Sequence, residues 1–153
     1  MMNLNQSLNS LFDPRDKRVA VWFLTVSSLG FLDALYLAIT HYLGTNLNCF
    51  ILKGCDVVTT SYYATLLGVP VALLGTIYYL FILLLSIVAL DIESKRVLYI
   101  VARIVPLGFL ASLWFIFAQV FLIKSLCIYC IFSAITSTAL FIIGFIYLRK
   151  NNH

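Results

Sequence analysis

The stretch VPVALLGTIYYLFILLLSIVAL, residues 69–90, runs for 22 residues without a charged side chain. A helix rises about 1.5 Å per residue, so a run of about 20 apolar residues matches the ~30 Å hydrocarbon core of a bilayer. Working outward, three more runs of this kind stand at residues 19–43, 99–123 and 128–148. Composition agrees. Hydrophobic residues make up 63% of the 153 and charged residues 10%, against about 45–50% and about 25% in soluble domains. A soluble fold of this length has nowhere to put that much apolar surface. The first run outlasts the ~7–15 residue core of a cleavable leader and no small-x-small site follows it, so it is expected to be retained.

The predicted fold is an all-α integral membrane protein, a bundle of four transmembrane helices. Residues 1–18 form a cytoplasmic segment, residues 19–148 the membrane domain and residues 149–153 a cytoplasmic tail. Short connections at 91–98 and 124–127 make neighbouring helices antiparallel. The longer one, 44–68, is the first outer loop. Within it, residues 56–67 are too polar to span and too apolar to float, which predicts a short helix lying across the outer mouth of the bundle, capped by Asp56.

Charge sets the orientation. Of the ten Lys and Arg, eight (Arg15, Lys17, Arg18, Lys95, Arg96, Arg103, Arg149, Lys150) fall on one side and two (Lys53, Lys124) on the other. The positive side faces the cytoplasm. Both termini are then cytoplasmic and the membrane is a cell's inner membrane. The net charge of +4 is a topology signal rather than a basic patch for nucleic acid.

This orientation collects the four cysteines on the outer, oxidising face, where disulfides persist. Cys127-Ile128-Tyr129-Cys130 is a C-x-x-C at a helix start, its sulfurs one turn apart and close to the positive end of the helix dipole. Cys49 and Cys55 bracket a five-residue loop with Gly54 to ease its closure. Two pairs on one face suggest a relay by thiolate attack and mixed disulfides. The competing readings are a scaffold stapled by two structural disulfides and a four-cysteine zinc site; the oxidising face and the spacing disfavour a metal. No G-x-G-x-x-G or P-loop is present, so no nucleotide is expected. A membrane dithiol needs a two-electron acceptor, and a quinone (ubiquinone or menaquinone) beside Cys130 is the natural one.

The chain resembles the bacterial homologues of vitamin K epoxide reductase. The matches run in order: Asp33 and Tyr36 in GFLDALYL (residues 30–37), Cys49 and Cys55, Ser61, GVPVALLG (residues 68–75), then Cys127 and Cys130. The resemblance implies that Cys49 meets the partner protein, Cys55 passes electrons to Cys127, Cys130 lies nearest the quinone and Ser61 hydrogen-bonds a quinone oxygen. Many members carry a fused thioredoxin-like domain. This chain stops at His153, so the expected partner is a separate thioredoxin-fold protein of the DsbA kind. Use of the same chemistry to reduce a quinone or vitamin K epoxide as the physiological product is the alternative.

Other polar residues have two readings each. Asp33, near mid-span, either relays protons or fixes the bundle. His41 either donates a proton to a quinone or sits at the interface. Gln119 bonds either a quinone oxygen or a backbone group between helices. Tyr62, Tyr63 and Tyr129 belong to an aromatic belt or cap the pocket. Pro70 suits a helix start, and Pro106 marks a kink.

Overall fold

The computed structural model describes residues 13–44 and 55–151. Four long helices dominate: α1 (Pro14–Leu43), α3 (Val71–Asp91), α4 (Lys95–Phe117) and α5 (Ile128–Asn151). A six-residue helix α2 (Cys55–Thr60) lies between α1 and α3, and α4 runs on into a π-helical turn, Ala118–Ile123. All four long helices are long and apolar enough to cross a membrane, so the chain is a multi-pass membrane protein with an all-α four-helix bundle.

Local sequence explains the helix ends. Asp13 precedes Pro14, whose fixed φ suits a first helical position, and Asp16 completes a capping box by accepting the Asp13 N–H at 3.1 Å. Gly44 ends α1 in the left-handed region at φ 60°. The helix α1 packs along α3 and against α5, and α4 packs along α5 and against α3, while α1 and α4 meet only slightly. The four therefore form a ring with α1 and α4 on a diagonal. Phe23, Tyr79, Ile82, Leu98, Val101, Val105 and Leu140 fill the centre and are almost fully buried. The opposite faces stay apolar: Leu32, Leu110 and Ile135 are each about 60% exposed. In water such a surface would aggregate; in a bilayer it is the solvent-facing side.

Small residues set the helix spacing. A Cβ on Gly30 would run into the Tyr79 ring, and one on Gly108 into Tyr78. At Gly144 it would stand 3.3 Å from the Ala102 carbonyl. Pro106 sits inside α4 and has no N–H to give that carbonyl, which faces the open side of Gly144.

At one end of the bundle Lys95 pairs with Asp16 at 3.3 Å and Lys17 with Glu93, which ties the start of α1 to the α3–α4 turn. The other end carries α2, the α4–α5 connection and the C-x-x-C. Here the structure differs from expectation. Instead of one helix over residues 56–67, α2 ends at Thr60, Ser61 is extended, a 3-10 turn covers Tyr62–Ala64, and a two-stranded hairpin pairs Thr65 with Pro70 and Leu66 with Val69. The reasons are local. The β-branched run Val57-Val58-Thr59-Thr60 is a weak helix former. Leu67 and Gly68 both take positive φ, 53° and 82°, as a two-residue hairpin turn requires. Asp56 falls in the first turn of α2 rather than ahead of it as a cap.

Candidate functional site: a thiol pair at the mouth of an apolar cavity

The helix α5 begins at Ile128, and the Ile131 N–H donates to the Cys127 carbonyl at 3.0 Å, so Cys127 occupies the position just ahead of the helix. The N–H groups of its first turn have no intrahelical acceptors and point back toward the Cys127 sulfur. Cys127 and Cys130 are free thiols here, Cys127 with no exposed surface and Cys130 half-buried. The Cys130 thiol donates to the Cys127 sulfur and holds the Cys127 thiol below its ordinary value, at about 7; the N–H groups of Cys130 and Tyr129 act in the same direction. Burial and the nearby charge of Asp33 oppose them. These contacts favour the thiolate, the nucleophilic form, at Cys127.

Cys127 is sealed by Leu37 of α1 and Val58 of α2, with Ile123, Ala72 and Tyr129 around them. The short helix that starts at Cys55 thus lays its Val58 directly on the inner thiol pair. Cys49 lies outside the described residues, as does the side chain of Cys55.

Beside Cys130 is a half-open cavity of about 360 Å³ lined by residues of all four long helices, with Val58, Thr59 and Tyr63 over it. Its walls are chiefly aliphatic and aromatic. Cys130, His41, Gln119, Ser133 and Ser137 bring polar atoms to it. An apolar chamber with a few convergent polar groups suits a flat, lipid-soluble molecule.

The predicted residues divide. Cys130, His41 and Gln119 line the cavity together. Ser61 and Tyr62 do not. The Ser61 hydroxyl donates back to the Val58 carbonyl at 2.8 Å, and Tyr62 is 88% exposed, while its neighbour Tyr63 supplies the roof. The 3-10 turn after Ser61 produces this exchange, because the single helix assumed from sequence would have turned a different face inward. Asp33 is not among the residues that line the cavity. Its Oδ2 is buried with no hydrogen-bond partner among the described residues, and its charge acts on Cys127, Tyr129 and Cys130. Tyr36, one turn above Asp33, packs on Tyr129 with ring centroids 5.3 Å apart.

Sequence reading missed Tyr79. Its hydroxyl reaches from α3 to α5, within 2.8 Å of the Ser133 carbonyl and the Thr136 hydroxyl and 2.7 Å of the Ser137 hydroxyl. A signal was present: Ser133 and Ser137 follow Cys130 at i+3 and i+7, so they share its helical face.

The fold and site define a class: multi-pass membrane proteins with a C-x-x-C thiol pair at one end of a helical bundle, set against an apolar chamber. The chain belongs to the Vitamin K epoxide reductase family, whose sequence model matches residues 21–145. It is accordingly a membrane oxidoreductase of a quinone-associated family. No curated protein is similar enough to the chain to be counted as a relative.

Proposed function

We propose that the protein is a thiol oxidoreductase that takes two electrons from a thioredoxin-fold partner of the DsbA kind and delivers them to a membrane quinone, ubiquinone or menaquinone, in support of disulfide formation. What supports this reading is that Cys130 lines an apolar cavity while Cys127, its partner, sits beside it under Val58. In this reading Cys49 accepts the partner's electrons, and Cys55 carries them to Cys127 across the short distance that α2 spans. The final step balances as two thiols plus one quinone giving one disulfide and one hydroquinone. Two electrons leave the sulfurs, and the two thiol protons end on the quinone oxygens. His41 and the Gln119 amide are the polar groups that meet those oxygens, and Asp33 is the carboxylate nearest the sulfurs that give up protons. The eight-to-two distribution of Lys and Arg supports an inner-membrane orientation with the cysteine end periplasmic.

The test mixes purified protein in nanodiscs with a reduced thioredoxin-fold oxidase and a soluble ubiquinone analogue, and follows quinone absorbance. Cysteine-dependent loss of quinone, with matching oxidation of the partner, is expected. Loss that survives replacement of all four cysteines, or no loss at all, would overturn the reading.

A further inference from the structure

The π-helical turn Ala118–Ile123 ends α4, and its second residue, Gln119, is bonded to the segment that follows. Gln119 is 2% exposed. Its backbone carbonyl accepts the N–H of Lys124 and, at 3.1 Å, the N–H of Ser125. Its side-chain oxygen accepts the N–H of Cys127 at 3.1 Å. Three hydrogen bonds, to Lys124, Ser125 and Cys127, thus come from one residue. The connection can bend this sharply because Lys124 takes a left-handed conformation, φ 55°.

The side-chain bond has a specific physical cause. The N–H of a residue ahead of a helix has no intrahelical acceptor. Cys127 has no exposed surface, so water cannot serve, and a buried N–H needs a partner. Only the oxygen of the Gln119 amide can accept from it. That chemistry settles the orientation of the amide and leaves the NH2 group for the cavity that Gln119 also lines. Single-turn π segments occur often at functional sites. Here the wider turn places a glutamine eight residues upstream of Cys127 within reach of its backbone.

We infer that Gln119 is a positioning residue for the reactive thiol: by fixing the backbone N–H of Cys127 it holds the Cys127 sulfur within reach of the Cys130 thiol and of the first N–H groups of α5. Without the amide oxygen, the Cys127 peptide must turn to find another acceptor. The sulfur then moves off the donors that favour its thiolate. The titratable groups acting on that sulfur are Cys130 and Tyr129 of α5 and Asp33 of α1; Val58 of α2 and Ile123 of the π turn face it with apolar surface.

The experiment uses the full chain in nanodiscs with Cys49 and Cys55 replaced by serine. Thiolate absorbance near 240 nm is titrated as a difference against the same protein carrying Cys127→Ser. Gln119→Met keeps the length of the side chain and removes the acceptor. The midpoint is expected to rise by about one pH unit. In the protein with all four cysteines, the same substitution is expected to lower kcat at neutral pH several-fold, and raising the pH is expected to restore it, whatever the change in the KM for a ubiquinone analogue. If Gln119→Met does not fold, as judged by helical circular dichroism, Gln119→Asn withdraws the amide by one methylene and carries the same expectation. A folded variant whose midpoint stays in place overturns the inference, and a raised KM beside an unmoved midpoint would leave Gln119 as a ligand contact only. The titration involves no quinone, so it can fail while the quinone reading stands, and the reverse.

Discussion

The Cys130 thiol is the largest influence on Cys127, and it acts by donating to the Cys127 sulfur. Removing that donor with Cys130→Ala takes away a contact made to the charged form, so the Cys127 titration must move up from about 7. The pH at which Cys127 reacts at half its maximal rate with a small methanethiosulfonate is expected to rise by about one unit. Tyr79 ties two helices together. Its hydroxyl is the link between α3 and the α5 face that carries Cys130, so Tyr79→Phe is expected to cost about 1–2 kcal/mol in a detergent unfolding titration. Gly30→Ala, which forces a methyl into the Tyr79 ring, is expected to cost about 1–3 kcal/mol. The sequence made Cys127 and Cys130 legible because C-x-x-C is a local motif on one helical face. Tyr79 was not legible, since one tyrosine in an apolar run looks like its neighbours until α5 is placed against it. The direction of the Ser61 hydroxyl was not legible for the same reason: whether a hydroxyl meets a cavity or its own preceding carbonyl depends on where one helical turn stops.

The long helices follow directly from apolar runs and from breakers such as Pro14 and Gly44. The short segments do not, because their form depends on a few backbone angles. Leu67 shows this. It sits at φ 53° with 98% of its surface exposed, a conformation that costs a residue with a Cβ about 1–2 kcal/mol, and the paired turn with Gly68 holds it there. Asparagine tolerates that region better, so Leu67→Asn is expected to raise the protection of the Leu66 and Val69 amides in hydrogen exchange without changing thiol reactivity. No change or a loss of protection would count against the hairpin. The π turn at Ala118–Ile123 had no signature in an apolar sequence, although Gln119 within it was a conspicuous polar residue. Its two possible roles, a ligand contact or a bond to backbone, both remain in view because its oxygen is engaged by Cys127 and its NH2 is not.

At the scale of the molecule, antiparallel packing brings together what the chain keeps apart. Leu37 and His41 of α1, Val58 of α2, Gln119 beyond α4 and Cys127 and Cys130 at α5 all gather at one end, while Arg15, Lys95 and Lys150 gather at the other. The number of crossings was readable from hydropathy; the cavity between them was not, because it is a property of four surfaces at once. In the proposed reaction Cys130, which lines this cavity, and Cys127 together pass two electrons to a quinone within it. The most direct test is a single turnover. Protein with both inner cysteines reduced is mixed without oxygen or partner with one equivalent of a ubiquinone analogue, and quinone absorbance is followed while the Cys127–Cys130 disulfide is quantified by mass spectrometry. Electron transfer from this thiol pair to the quinone requires one quinone reduced for each disulfide formed, and no reduction in Cys130→Ala. Quinone loss that proceeds undiminished in Cys130→Ala, or a disulfide that forms with no quinone consumed, would contradict it.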